Sequence, residues 1–381
     1  ADEAARLFQP RPLGTFPGEH NIYTYEPRGV AVVISPWNFP LAIPCGMFAA
    51  ALVTGNTVVL KPAEQTSFIA KLLFEAFLDA GMPSQVAAFL PGIGEEVGPV
   101  LTRHRLVQTL VFTGSRAVGL QLVQEGATHH GEHVKRVIAE MGGKNAVLID
   151  DDAELDEAVR GSVISAFGFQ GQKCSACSRL IVVGSTYDRV VERLGQAVES
   201  LIIGPASRPE TFVGAVIDED AQQRILGVIE DAKRSCRLIA QGAVPAACRD
   251  RGFFVPPSVF GEVPQGHALV TQEIFGPVLA VERAATFEEA LSMALDSEYG
   301  LTGGVFSRSP EHIQLAVREF RVGNLYINRP CTGALVGRQP FGGAKMSGVG
   351  SKAGGPDYLL QFVVPRTVTE NTMRRGFAPD L

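Results

Sequence analysis

From Gly29 to Leu60 the chain carries no charged side chain, although Arg28 and Lys61 stand immediately on either side. A run of this kind has two solutions. It crosses a membrane as one helix of about 20 apolar residues, or it folds several times through a protein core. Pro36, Pro40 and Pro44, together with Asn38 and Asn56, interrupt it, and proline both lacks a backbone donor and disrupts a continuous helix. The stretch therefore reads as strand, turn, helix and strand. Strands this apolar on both sides belong to a parallel sheet covered on its two faces.

The remainder of the 381 residues repeats that alternation. In the first half, strands are expected at Ala31–Ile34, Thr57–Leu60, Val86–Leu90, Leu110–Phe112 and Val137–Ala139. Helices are expected at Leu41–Val53, Phe68–Asp79, Glu95–Thr102 and Ala117–Gln124. A second series gives strands Ala146–Ile149, Leu180–Val183, Arg237–Ala240, Thr302–Phe306 and Asn324–Asn328. Its helices are Ala153–Phe167, Tyr187–Ser200, Asp218–Arg234, Phe287–Leu295 and Glu311–Phe320. Strict alternation argues for an α/β chain with doubly wound sheets, and the length allows two domains at roughly 100–200 residues each. The glycine-dense stretch Gly333–Gly355 is expected to form no regular element and to approach a ligand with its backbone.

Composition narrows the function. Lys and Arg number 34 against 40 Asp and Glu, a net charge of −6, so no general basic field attracts nucleic acid. Six cysteines are too sparse for a disulfide scaffold. They fit a reducing compartment, the cytoplasm, and leave single thiols free to react. The opening ADEAARLF lacks the basic start and apolar stretch of a signal peptide, and the absence of an initial Met is compatible with a processed chain or a fragment.

Motifs for phosphate loops, HExxH zinc sites and GxSxG elbows are absent. What remains is a different set. Phe112 to Gly119 runs from a strand into a helix: Gly114 turns the chain, Ser115 can cap the helix, and the exposed N–H groups suit an anion such as a pyrophosphate. An ordinary strand-to-helix turn would look the same. Cys174 lies in the loop Gly168-Phe-Gln-Gly-Gln-Lys-Cys-Ser-Ala-Cys177 beside Lys173, whose charge is expected to raise the thiolate fraction of a group with pKa about 8.5. Cys174 is the candidate nucleophile. Cys177 is expected to be a small buried residue opening a strand, since no second cysteine pair completes a zinc site. His129, His130 and His133 cluster without an acidic or cysteine partner, so no metal is expected there. Glu140, at a strand end before Met141-Gly142-Gly143-Lys144, is expected to reach a cleft and serve as the base that a thiol mechanism requires.

Taken together, these residues resemble the aldehyde dehydrogenase superfamily. The resemblance rests on Pro36-Trp37-Asn38-Phe39-Pro40, Lys61-Pro62-Ala63-Glu64, the Phe112–Gly119 turn, Glu140-Met-Gly-Gly-Lys144, Gly171-Gln-Lys-Cys174, Glu273-Ile-Phe-Gly-Pro277 and Pro340-Phe-Gly-Gly343, all in the family's order. Within the superfamily, Phe169–Ala176 and the loop Asn328–Pro340 are similar to the L-glutamate γ-semialdehyde (1-pyrroline-5-carboxylate) dehydrogenases, which occur alone or as the C-terminal part of bifunctional proline-utilisation proteins.

The resemblance implies NAD as cofactor and glutamate γ-semialdehyde as the small-molecule substrate. It implies that Cys174 attacks the aldehyde, that Asn38 and the Cys174 N–H hold the oxyanion, and that Glu140 activates the hydrolytic water. Cofactor contacts carry over to Trp37, Lys61, Glu64, Gly114, Ser115, Gly119, Glu273 and Phe275, with Glu64 disfavouring a 2′-phosphate. Substrate contacts carry over to Lys173, Ser175, Gly333, Ala334, Phe39 and Phe341. The implied fold has an NAD-binding domain (28–142 and 347–361), a catalytic domain (143–346) and a small β oligomerisation flap (14–27 and 362–375) that makes a homo-oligomer. Family members usually carry on the order of a hundred further N-terminal residues, mostly helical. Two alternatives stand beside this reading: a dehydrogenase for another carboxylated semialdehyde such as succinic semialdehyde, or an NAD-binding module without turnover.

Overall fold

The computed structural model describes residues 2–128, 131 and 133–373. The expectations for His129 and His130, and for residues 374–375 of the flap, lie outside the described residues. Two compact units are formed. The first takes the described residues of Ala1–Thr113, Val118–Ala139 and Gly350–Leu381, and the second takes Gly114–Ala117 and Glu140–Val349.

In the first unit, strand β1 (Glu19–Pro27) is followed by β2 (Val30–Ile34), β3 (Thr57–Lys61), β4 (Ala87–Phe89), β5 (Val107–Thr113) and β6 (Arg136–Glu140). The last five are neighbours in the order β6-β5-β2-β3-β4, and β2 runs parallel to both β3 and β5. From β2 the chain winds first to one side and later to the other, so the carboxyl ends of β2 and β5 flank the switch point where such sheets bind ligands.

The uncharged run fills this unit's core. Ala31, Val32 and Val33 are fully buried in β2, and helix α1 (Ala42–Val53) buries Met47, Phe48, Ala50 and Ala51. Pro44 is tolerated because the N–H groups of a helix's first turn have no intrahelical acceptor. Phe48 meets Phe77 and Phe74 edge-on at 4.9 and 5.8 Å between ring centres, the geometry that aromatic quadrupoles favour. Among the described residues no helix is long and apolar enough to cross a membrane.

At the far end of the unit, Val363–Asn371 pairs antiparallel with β1 from Val363↔Pro27 to Asn371↔Glu19. Most of this ribbon is exposed.

The second unit holds β7 (Asn145–Ile149), β8 (Cys177–Val183), β9 (Arg237–Gln241), β10 (Ser258–Gly261), β11 (Val278–Ala284), β12 (Thr302–Phe306) and β13 (Asn324–Ile327), ordered β9-β10-β11-β8-β7-β12-β13. Only β9 and β10 are antiparallel. Strands β10 and β11 are not among those expected from the sequence. The first is four residues long, and the apolar run of the second is broken by Glu282, which pairs with the buried Arg179 of β8 at 2.7 and 3.0 Å.

Smaller differences also have local causes. Ser84–Val86 is a 3-10 turn, so β4 starts at Ala87. The helix expected from Ala153 starts at Leu155, because the Glu154 carboxylate caps it through the Glu157 N–H. The glycine-rich stretch does form two short strands, Ala344–Lys345, paired with Tyr299–Gly300, and Gly348–Val349. Residues Gly168–Gly171, expected to be irregular, do turn tightly but with non-helical backbone angles at Phe169 and Gln170.

Asp150, Asp151 and Asp152 lie close together after β7. The buried Asp150 is engaged by Ser307 Oγ at 2.6 Å and by His312 Nδ1 at 2.6 Å, while His312 stacks on Phe287 at 4.5 Å. Burial disfavours the charged imidazole, but the Asp150 hydrogen bond and the charges of Asp150, Glu288 and Asp151 outweigh it and raise its pKa. A raised folded-state pKa adds stability that is complete below about pH 6.5, the unfolded value, and is lost as pH climbs through the folded value. His312→Gln should therefore lower Tm more at pH 6 than at pH 9 in thermal melts. Equal losses at both pH values would rule out the charged pair.

Candidate active site

Cys174 sits between helix α5 (Leu155–Phe167) and β8, in a loop whose path is unusual. Phe169, Gln170 and Gly171 take φ of 59°, 57° and 66° in succession. The left-handed region costs a non-glycine residue on the order of 1 kcal/mol or more, so neighbours must hold the turn. Gly171 packs so tightly on Gly276 that an added Cβ would lie 2.3 Å from its carbonyl oxygen. Gln172 is buried and its Oε1 accepts from the Ile217 N–H at 2.9 Å.

Beyond it, the Ala176 N–H donates to the Lys173 carbonyl at 2.9 Å. The Asn145 amide donates to the carbonyls of Cys174 and Ala176 at 2.7 and 2.9 Å, and Thr302 Oγ1 donates to that of Ser175 at 3.2 Å.

Burial pushes the Cys174 thiol up to about 12, aided by the charges of Glu273 and Glu140 and opposed by the N–H groups of Ser175 and Cys174. Lys173 and a Cys174 thiolate attract one another, but burial and the two carboxylates outweigh that attraction and hold Cys174 as the thiol. Burial also lowers the pKa of Lys173, whose Nζ packs 3.3 Å from where a Gly168 Cβ would stand. Desolvation and two carboxylates dominate one partly desolvated cation.

Both carboxylates are held by backbone. Glu140 ends β6, and its Oε2 accepts from the Gly343 N–H at 3.2 Å, two residues beyond Phe341. The Glu140 carbonyl accepts from the Gly114 N–H at 3.0 Å, so the turn before helix α4 (Arg116–Ala127) is tied to the same strand end, with Ser115 directly preceding the helix. Glu273 Oε1 accepts from the Gly143 N–H at 3.0 Å, and a Cβ on Gly142 would lie 1.9 Å from Glu273 Oε2. Burial raises Glu273 to about 7 against the Gly143 N–H, Lys144 and Arg224. Lys144 is lowered to about 7, mainly by burial and then by Arg179. Phe275 follows with φ 53°.

The loop after β13 also reaches the segment that carries the thiol. Cys331 is buried, its N–H donates to Ser165 Oγ at 3.1 Å, and its Sγ donates to the Ser175 carbonyl at 3.5 Å. Two residues on, Gly333 is exposed with φ 81°, and the N–H groups of Gly333 and Ala334 have no acceptor among the described residues. The second unit therefore gathers Cys174, Glu140, Glu273, Ser175, Lys173, Phe341 and the Gly333–Ala334 backbone.

The other candidates lie in the first unit. Trp37, the buried Asn38 and Phe39 form the turn after β2, the buried Lys61 ends β3 and donates to Glu64 at 2.9 Å, and Gly119 is buried in α4. Sequence reasoning missed Asn145, Thr302, Gln172 and Cys331. A polar side chain opening an otherwise apolar strand, as Asn145 does, was the available signal, and its partners are 29 and 157 positions away.

The sequence pattern of the aldehyde dehydrogenase family matches residues 1–368. The chain belongs to that family. Among curated aldehyde dehydrogenase relatives, 1-pyrroline-5-carboxylate dehydrogenase of Geobacillus kaustophilus (strain HTA426) is 48% identical over 361 residues, covering 94% of this chain and 70% of its own. A crystal structure of proline utilization A (PutA) from Bdellovibrio bacteriovorus superposes with a TM-score of 0.94 at 54% identity. The match covers 100% of this chain, which spans 39% of the PutA chain. A 1-pyrroline-5-carboxylate dehydrogenase from Thermus, solved with bound NAD, gives 0.93 at 45% identity over 97% of this chain and 72% of that one.

The Met-Gly-Gly turn that this family member shares with the site is sterically closed. A Cβ on Gly143 would stand 2.6 Å from Asn145 Oδ1 and 2.9 Å from the Cys174 carbonyl oxygen, whereas a Cβ on Gly227, within helix Glu219–Ser235, meets nothing within 4 Å. Gly143→Ala should therefore reduce aldehyde oxidation by about 10²-fold, the usual cost of misplacing a reacting group by about 1 Å. Gly227→Ala should leave it unchanged, as steady-state assays of both variants would check.

Proposed function

We propose that the chain is an NAD⁺-dependent dehydrogenase that oxidises L-glutamate γ-semialdehyde to L-glutamate, the second step of proline breakdown. The observation that carries the reading is the convergence, in the second unit, of a looped thiol and two carboxylates, with a nearby loop whose Gly333 and Ala334 N–H groups have no acceptor among the described residues. The 48% identity to a 1-pyrroline-5-carboxylate dehydrogenase supports the choice of substrate.

The cofactor-binding residues fit a dinucleotide. Ribose hydroxyls both donate and accept, and the Lys61 ammonium beside the Glu64 carboxylate is a donor–acceptor pair. Burial would raise the Glu64 pKa, but its hydrogen bond and charge contact with Lys61 and the Glu64 and Gly94 N–H groups lower it overall, so it is an ionised acceptor at neutral pH and repels a 2′-phosphate. Ser115, Gly114, Gly119, Glu273, Phe275 and Trp37 complete the set that the family resemblance assigns. When bound, NAD⁺ supplies the hydride acceptor.

The protein's own groups do the rest. Cys174 attacks the aldehyde carbon: the C–S bond forms as the C=O π pair moves to oxygen, and the thiol proton passes to solvent water because the resting thiol is protonated at neutral pH. Loss of hydride from the resulting thiohemiacetal to the cofactor would leave the thioester. Asn38 and the Cys174 N–H stabilise the oxyanion, a contribution of about 10²- to 10³-fold per donor. Glu140, held by the Gly343 N–H, takes a proton from the water that cleaves the thioester. Gly333 and Ala334 N–H groups and the Ser175 hydroxyl receive the α-carboxylate, Phe39 and Phe341 bracket the methylene chain, and Lys173 adds positive charge. The exposed ribbon of β1 and Val363–Asn371 is the homo-oligomerisation element. An isolated ribbon of so few strands is marginally stable in water, and a second copy would cover it.

NADH formation with glutamate semialdehyde should exceed that with succinic semialdehyde or acetaldehyde; no turnover with any of the three refutes the reading. Cys174→Ala should abolish NADH formation while NAD⁺ binding persists. Glu140→Gln should give one burst of NADH per site and then slow by about 10²- to 10⁴-fold, which stopped-flow absorbance would resolve.

A further inference from the structure

The carbonyls of Cys174, Ser175 and Ala176 are all fastened from outside their own loop, by Asn145, Thr302 and Asn145 again. The three anchors are not equivalent. A trans peptide is planar, with its C=O and N–H pointing in opposite directions, so whatever holds a carbonyl also aims the N–H on the far side of that bond. The Cys174 carbonyl belongs to the same peptide as the Ser175 N–H, and that N–H faces the Cys174 sulfur. The Ser175 carbonyl belongs to the same peptide as the Ala176 N–H, which is already spent on the Lys173 carbonyl at 2.9 Å.

We propose that Asn145 is a positioning residue of the nucleophile: by holding the Cys174 carbonyl at 2.7 Å it turns the Ser175 N–H onto the Cys174 sulfur and stabilises the thiolate. This rests on the reading of Cys174 as the attacking group.

Asn145 is built for the task. It is 2% exposed, opens β7, and spends both amide hydrogens on the loop. Its Oδ1 accepts from the Thr302 N–H at 3.0 Å, which fixes which way the amide faces. Gly143, one peptide removed from Lys144, leaves room for the Cys174 carbonyl to reach it. A hydrogen bond to a charged group in a buried site is worth more than one between neutral groups, and here it opposes the burial and the negative charges that disfavour the thiolate. The charged groups facing the thiol are Glu140 at the end of β6, Glu273 before β11, and Lys173 in the same loop. None contacts the Asn145 side chain, whose partners are Cys174, Ala176 and Thr302.

The test is the pH dependence of Cys174 alkylation by iodoacetamide in the full chain, followed by peptide mass spectrometry so that the other cysteines do not contribute. Asn145→Ala should shift the alkylation profile to higher pH and slow labelling at pH 8 by about tenfold or more, the effect of a lost charge-assisted bond. Thr302→Val removes the neighbouring anchor without freeing the Ser175 N–H, and should leave the profile within about 0.3 pH units of wild type. Asn145→Ser, which keeps one shorter donor, should fall between and serves if the alanine variant does not fold. Equal shifts in the Asn145 and Thr302 variants, or no shift in either Asn145 variant, would overturn the proposal. Wild-type labelling at Cys174 that leaves NADH formation intact would instead overturn the reading of Cys174 as nucleophile, and the proposal with it.

Discussion

Backbone carbonyls buried at the amino-terminal edge of a parallel sheet cannot reach water, and every one of them must find a donor within the protein. That constraint organises the second unit. The loop carrying Cys174 enters the sheet at Cys177, and its carbonyls are met by side chains that open the next two strands on one side, Asn145 on β7 and Thr302 on β12. Glu273 precedes β11 and is seated on the Gly142–Gly143 turn that leads into β7. Open α/β sheets ordinarily place ligands beyond the carboxyl ends of their strands. Here the reactive groups collect at the opposite edge. The first unit keeps the usual arrangement, with Lys61 ending β3 and the Asn38 turn following β2.

The same burial sets the electrostatics. A thiol pushed up to about 12 and a carboxylate raised to about 7 describe a site in which desolvation outweighs any single neighbouring charge. A thiol held protonated is a poor target for oxidants, since the thiolate is the species they attack. In the proposed mechanism, attack by Cys174 on an aldehyde is coupled to loss of that proton.

Much of this was legible in the sequence where the signal was local. The uncharged run from Gly29 to Leu60 could only be core once its prolines ruled out one long helix, and β2, α1 and β3 lie within it or at its end. Cys174 and Glu140 stood out as a loop thiol and a strand-end base beside glycine turns, and Glu273 only through the family's motif Glu273–Pro277. What escaped was information carried between distant segments. Strand β11 was hidden because Glu282 reads as a surface residue until Arg179, 103 positions away, is seen to neutralise it. That burial outweighs the charge of Lys173 at Cys174 was not visible either, because adjacency in sequence says nothing about burial. Asn145 had no visible role until the carbonyls of 174 and 176 were placed beside it.

The ribbon that joins β1 to Val363–Asn371 has a consequence for how the chain acquires its structure. Thr24 and Arg366 are partners across 342 positions. The second unit is, apart from Gly114–Ala117, one uninterrupted stretch from Glu140 to Val349. During synthesis at about 5–20 residues per second, β1 leaves the ribosome on the order of 20–70 s before the strand it pairs with. β1 is therefore made well before its partner strand, and over that interval a long strand edge stays open to wrong partners.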